Sequence, residues 1–331
     1  MSQYLPVEEI IGTLIEPSFG ESVFMGRIND LDVTEDKTYL VDDRSQIFIL
    51  DSDFNLLTTK NVSGPGPGEV QRGVAIRAVN NGFLVFDSES MKFVKYDNSL
   101  NMSGELKVSN LFPHLGFSFV VEGSKIYTAD NSTGALISLF DMDLEGPSGV
   151  DDSVPAEEME TDLTFFEGSK RSQARDNLYH IHRHGENLML VNRWNPVILV
   201  LSRRNGIYET SHRYNYEDVD YFRQIIDSNR EFHEREENAS SWKTLVRDSA
   251  IYNNSLLLLV ATEESGNDYS SHILVLDLES ELIHPKQIYQ LVLESGETPW
   301  LRNMAVDKDG NLLASSNDYD GLLHFDLNLG E

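Results

Sequence analysis

Hydrophobic and polar positions along this chain fall into one recurring pattern. A short apolar run leads into a polar turn, a second apolar run follows, often ending in Asp, and another turn closes the unit. The pattern is legible at 39–57 (YLVDDRSQIFILDSDFNLL), 83–100, 126–144, 188–206, 257–282 and 312–329. Two β-rich runs around a turn of Asp, Asn, Ser or Gly signal a hairpin. Equivalent positions in the second run are Asp51, Asp97, Asp141, Ser202, Asp277 and Asp326. The first two steps and the last are 46, 44 and 49 residues, while the middle two, at 61 and 75, contain insertions.

A period of this length with four strands per unit predicts a β-propeller. Inner strands are expected at Ile28–Val33, Val74–Val79, Gly116–Val121, Leu178–His182, Leu245–Ile251 and Asn303–Val306. The sixth unit ends at Leu329 after its third strand, and Glu9–Glu16 is a lone strand ahead of the first unit. Pairing that strand into the last blade closes the ring and removes an open edge.

The expected architecture is therefore all-β: a single six-bladed β-propeller over 1–331, with four-stranded blades and a closing N-terminal strand at 8–16. Blades are expected at 27–62, 72–108, 114–146, 177–214, 243–294 and 301–329. Insertions occupy 147–176 and 215–242. The first is polar and acidic, without the alternating pattern of a calcium loop. The second holds Val219, Phe222, Ile225, Ile226 and Phe232 at helical spacing, behind a capping-box-like Asn215 and Asp218. It predicts a helix that either packs on blades 4 and 5 or lies over the channel mouth.

Two segments carry a family resemblance. Gly64-Pro65-Gly66-Pro67-Gly68-Glu69-Val70 lies between the first and second units, and Met304-Ala305-Val306-Asp307-Lys308-Asp309-Gly310-Asn311-Leu312 lies in the sixth. Both resemble segments of NHL-type six-bladed propellers with TolB-like architecture, a broad group found in Bacteroidota. The resemblance implies a whole-chain propeller and, since many of these proteins look exported, a periplasmic or extracellular location. It also brings in gluconolactonase-like calcium hydrolases, strictosidine synthase-like proteins and amidating lyases. Asn29, Asp30, Asn177 and Asn303 stand near the channel, where such hydrolases gather ligands. The glutamate that the resemblance leads one to expect in the first inner strand is absent.

Composition narrows the partners. Lys and Arg number 26 against 55 Asp and Glu, a formal charge of -29, which disfavours nucleic acid. No cysteine is present, so disulfides, thiolate metal sites and cysteine nucleophiles are excluded. No apolar run approaches the ~20 residues needed to span a bilayer. Met1–Glu9 lacks the basic-then-apolar order of a secretion signal, leaving open both a cytoplasmic chain and one that has already lost its signal. A monomer is expected.

Against this acidic background, a cationic or titratable residue stands just before each inner strand: Arg27, Arg72, His114, Arg175, Lys243 and Arg302. Positive charge around a channel mouth would focus an anion, and arginine's planar fork suits carboxylates. Trp194 and Trp300 fall in nearby loops and are candidates for stacking on a flat ligand face. His180 and His182 alternate on one strand face and are candidate ligands of a divalent metal. No cofactor motif is present: the Gly64–Gly68 run lacks the Lys-Ser/Thr of a phosphate loop, and Asp307–Asn311 reads as a turn. Three function classes remain. The first is a module binding an anionic small molecule, glycan or peptide at the mouth. The others are a hydrolase or lyase at the same mouth and a scaffold for a protein partner.

Overall fold

The computed structural model describes residues 5–15, 24–108, 117–129, 137–142, 178–204, 207–219, 222–234, 244–262, 269–278, 283–327 and 329. Blade 1 comprises β2 (Ile28–Val33), β3 (Lys37–Asp42), β4 (Gln46–Asp51) and β5 (Leu56–Asn61). Blade 2 comprises β6 (Gly73–Val79), β7 (Gly82–Asp87), β8 (Lys92–Asp97) and β9 (Met102–Lys107). In blade 3, β10 (Phe119–Glu122), β11 (Lys125–Ala129) and β12 (Ile137–Asp141) are described. The stretch expected to supply its outer strand lies outside the described residues. Blade 4 is β13 (Tyr179–His184), β14 (Asn187–Asn192), β15 (Val197–Arg204) and β16 (Ile207–Asn215). Blade 5 is β17 (Val246–Tyr252), β18 (Ser255–Thr262), β19 (Tyr269–Asp277) and β20 (His284–Leu293). Blade 6 supplies β21 (Leu301–Val306), β22 (Leu312–Ser316) and β23 (Leu322–Phe325). Each inner strand contacts the next, from β2 through β6, β10, β13 and β17 to β21, and β21 returns to β2. The ring is closed.

Closure works differently from the simple expectation. The N-terminal strand β1 (Val7–Ile15) does complete blade 6, with Gly12–Ile15 antiparallel to β23. Its first half does something else: Val7–Gly12 runs parallel to β20 of blade 5. Blades 5 and 6 are thereby welded into one eight-stranded sheet, and Gly12 pairs with both Leu293 and Phe325.

A blade alone cannot cover its own apolar faces, so the core lies between blades. Tyr39 of blade 1 packs on Phe83 of blade 2, which stacks on Tyr96 at 5.4 Å. Phe86 and Phe93 of blade 2 meet Phe117 and Phe119 ahead of and within blade 3 at 4.2 and 5.1 Å. The helix α1 (Arg223–Glu234) belongs to this packing. Val219, Phe222, Ile225 and Ile226 are buried among Met189, Ile198, Leu256 and Leu258 of blades 4 and 5. Asn215 accepts the Glu217 N–H at 2.9 Å, eight residues ahead of the helix, so it caps a turn and not the helix itself.

Turns repeat as the strands do. Asp51, Asp97 and Asp307 each accept the N–H groups two and four residues on, at 2.8–2.9 Å, and the fourth of these is always Asn. This is a side-chain-stabilised turn, with the intervening Phe54, Leu100 or Gly310 in the left-handed region. The glycine-proline run is likewise structural. Lys92 donates to the Gly66 carbonyl at 3.0 Å, Tyr96 donates to the Gly68 carbonyl at 2.8 Å, and Val70 is buried between blades 1 and 2.

Candidate functional site

Four inner strands share the same irregularity. In β2, Ile28 pairs with Asp42 and Asp30 with Val41, so Asn29 is left out of the ladder. In the same way β6 skips Val74, β17 skips Arg247 and β21 skips Arg302. A one-residue bulge bends the strand and re-aims its side chain. Asn29, Val74, Arg247 and Arg302 all line one cavity of about 200 Å³, joined by Arg27, Arg193, Asn303 and Asn317. Four arginines thus converge on one small space.

Acidic and amide side chains at the ends of the second strands hold the backbone of this mouth. Asp42 accepts the Gly26 N–H at 2.9 Å, and the Arg27 carbonyl accepts the Asp43 N–H at 2.8 Å. Asp87 accepts the N–H groups of Gln71 and Arg72 at 2.9 and 3.0 Å. Asn192 accepts those of Trp194 and Asn195, both at 2.9 Å. In blade 6, Asp318 accepts the Trp300 N–H at 2.9 Å. These carboxylates are spent on backbone.

The electrostatics follow from crowding. Burial, then the charges of Arg27 and Arg247, lower the Arg302 pKa, with Asp43 opposing. Burial and Arg247 push Arg193 down to about 10, with Asp248 opposing. Both remain cationic at neutral pH, so like charges are held together in a desolvated space. Arg302 Nη1 is buried with no hydrogen-bond partner among the described residues. A wider cavity of about 550 Å³ shares Arg27, Asn29 and Arg302, and adds Asp43, Gln71, Arg72 and Glu89.

Below the mouth, side chains stitch the inner strands together. Asn29 donates to the Gly73 carbonyl at 2.8 Å, and Asn303 donates to the Asn29 carbonyl. Asp30 and Asp32 accept the N–H groups of Ile76 and Ala78 at 2.9 and 2.7 Å. Asp248 accepts that of Met304 at 2.7 Å. Burial and the neighbouring Asp30 push Asp248 up to about 7, against the pull of the Met304 hydrogen bond and Arg77.

The structure sorts the residues that the sequence singled out. Arg27, Arg72 and Arg302 come together at the mouth. His114, Arg175, Lys243 and Asn177 lie outside the described residues. Trp194 and Trp300 are not among the residues lining either cavity. His180 and His182 point to different partners: His180 Nδ1 is 3.6 Å from Asp248 Oδ1, and His182 Nε2 is 2.6 Å from Ser249 Oγ. Burial and the Arg77 charge push His182 down to about 3. It is a neutral, weakly basic imidazole bonded between blades 4 and 5. Among the described residues no three His, Asp or Glu side chains gather in a way that could hold a metal ion. Arg193 and Arg247 were missed: one belongs to a hairpin turn and the other to a bulge, not to the segment before an inner strand.

No known family's sequence profile matches the chain, and no curated protein matches it in sequence. Solved structures do match its shape. A DUF4221 family member from Bacteroides vulgatus superposes with a TM-score of 0.58 at 11% identity, covering 97% of this chain and 96% of that one. A protein from Bacteroides fragilis superposes at 0.56 with 10% identity, covering 98% and 99%. The β-propeller domain of Cps50 (Swd1) from Myceliophteria thermophila superposes at 0.53 with 8% identity, covering 91% and 97%. At such identities the likeness is one of fold, and the fold is that of a β-propeller.

Proposed function

We propose that this protein is a binding propeller whose ligand is an anion held at the channel mouth. One observation carries the reading: Arg27, Arg193, Arg247 and Arg302 converge on one cavity of about 200 Å³ in a chain of formal charge -29. Gathering like charges costs free energy, and structures keep such costs mainly where function needs them. The bulges that aim Arg247 and Arg302 support the same reading, since bulges recur beside active and binding sites. Guanidinium forks bind carboxylate, sulfate and phosphate oxygens through paired charge-assisted hydrogen bonds. The glycine-proline turn and the Asp307 turn support grouping the chain with NHL-type propellers.

Catalysis at this mouth has less behind it. His182 is too weak a base, and Asp42 and Asp87 are engaged with backbone N–H groups.

The test is a thermal-shift and calorimetric titration with inorganic sulfate and inorganic phosphate at low ionic strength. A ligand at 100 times its Kd stabilises the native state by about 2.7 kcal/mol, so Tm rises with either anion and the rise shrinks in added sodium chloride. Arg247→Ala and Arg302→Ala, folded by circular dichroism, lose most of the rise. If neither anion moves Tm, or if both variants respond as the parent does, the reading is wrong.

A further inference from the structure

The arginine cavity is not the whole of the mouth. It adjoins the wider space of about 550 Å³ across their shared walls, Arg27, Asn29 and Arg302, and the added walls have a different chemistry. Asp43 stands in the β3–β4 turn and Glu89 in the β7–β8 turn, with the Gln71 and Asn29 amides beside them. Among the described residues neither Asp43 nor Glu89 enters an ion pair, although Arg27, Arg72 and Arg302 line the same space. This sets them apart from Asp42, Asp87 and Asp318, which are engaged with backbone N–H groups.

The two compartments therefore ask for two chemistries in one molecule. Among the described residues the inner one is lined by four arginines, the amides of Asn29, Asn303 and Asn317, and Val74, so its charged groups are all donors, and guanidinium groups accept nothing. It takes an anionic head. The outer one adds the carboxyl groups of Asp43 and Glu89, whose oxygens accept hydrogen bonds, beside amides that both accept and donate. It takes a neutral body rich in O–H donors. A second anionic group there would meet Asp43 and Glu89 as well as Arg72. Among the described residues the outer compartment is lined by charged and amide side chains.

We infer that the ligand is an anionic sugar, with a carboxylate, sulfate or phosphate group among Arg27, Arg193, Arg247 and Arg302 and a hydroxylated ring hydrogen-bonded by Asp43 and Glu89. This rests on the anion-binding reading and adds the ligand class to it. A ring whose hydroxyls donate can satisfy the oxygens of Asp43 and Glu89, which the carboxylates of a polycarboxylate or an acidic peptide cannot do. Its volume, about 550 Å³, is that of a pocket for a small organic ligand.

The experiment compares affinities by calorimetry at one pH and ionic strength. The probes are glucuronate, glucose 6-sulfate, glucose 6-phosphate, glucose, inorganic sulfate, inorganic phosphate and the peptide Gly-Asp-Gly. At least one sugar anion is expected to bind roughly tenfold or more tighter than the inorganic anions, the gain of one or two hydrogen bonds to charged groups. Which of the three is tightest identifies the anionic head. Asp43→Asn and Glu89→Gln keep shape and remove charge. Each is expected to cut that margin several-fold, while inorganic sulfate binds at least as tightly because a like charge is gone.

If inorganic sulfate binds and no sugar anion exceeds it, the sugar assignment falls and the anion site stands. The same holds if Gly-Asp-Gly binds tightest, or if both variants keep the full margin. If no anion binds at all, both readings fall together.

Discussion

Arg77 of blade 2 reaches back to Asp30 of blade 1, Nη1 to Oδ2 at 2.6 Å, while its guanidinium carbon lies 5.7 Å from the centroid of the Phe119 ring in blade 3. One side chain thus ties three successive inner strands beneath the mouth. It is also the counter-charge for buried acids: Asp30 and Asp32 are both raised by burial and both drawn down by Arg77. Removing one partner of a buried pair leaves the other uncompensated. Arg77→Met is expected to destabilise the fold by about 3–5 kcal/mol, read from urea unfolding. Arg77→Lys recovers part of this. A loss under ~0.5 kcal/mol for Arg77→Met would mean that the pair is incidental.

Asp248 makes stability depend on pH in an unusual direction. Its folded-state pKa is raised to about 7 from an ordinary value of 3.8. Between those values the native protein keeps a proton that the unfolded chain has released, so this group's contribution is lost as pH rises toward 7. His182, held down to about 3, acts oppositely: its contribution is lost as pH falls below 6.5. The two mask one another in the parent protein. Asp248→Asn removes one of them, so variant-minus-parent Tm should be more positive at pH 8 than at pH 5, by roughly 3 °C or more. A pH-independent difference would show that Asp248 titrates normally.

Gly12 is the residue at which the closing strand changes partner. A Cβ there would overlap the Phe325 ring, which is fully buried, and press on the His324 carbonyl oxygen at 2.9 Å. Gly12→Val is expected to cost about 1–3 kcal/mol through overpacking, and to raise hydrogen exchange in β1 and β23 ahead of blades 1 and 2. Ile11→Thr, on the exposed side of the same strand, serves as the control and should cost under ~0.5 kcal/mol. Equal effects would mean that closure does not depend on the Gly12–Phe325 fit.

The parts of this molecule that could be read from its chain are those written in short stretches. The turns at Asp51–Asn55 and Asp97–Asn101 depend on residues four apart, and Asp51 and Asp97 are among the strand-end positions whose repetition exposed the propeller period. The split role of β1 depends on β20 and β23, far away in sequence, and nothing local in EIIGTLIE announces it. The site shows the same division. Arg27, Arg72 and Arg302 share a position ahead of, or at the start of, an inner strand. Arg193 arrives from a hairpin turn and Arg247 from a bulge, and a bulge is a property of pairing, invisible in one strand alone. Composition made the cations of the mouth stand out but could not sort its acids: a net charge says nothing about which carboxylates accept backbone N–H groups.

The crowding at Arg302 gives a last prediction, in which stability and binding move in opposite directions. Arg27 and Arg247 both oppose the Arg302 charge, and its Nη1 is buried without a hydrogen-bond partner among the described residues. Arg302→Met keeps much of the aliphatic stem and removes the charge. Without ligand the variant should therefore melt no lower than the parent, and about 1–3 °C higher at low ionic strength. The gap should narrow in 1 M salt, which screens the Arg27 and Arg247 charges but does not relieve the burial that is the larger cause. The same variant should lose the Tm rise given by sulfate. Arg302→Lys separates charge from geometry: it keeps the field but not the fork, and should bind sulfate several-fold more weakly than the parent while melting alike. If Arg302→Met melts well below the parent at every salt concentration, the arginine is a structural strut, and the converging charges at the mouth need another explanation.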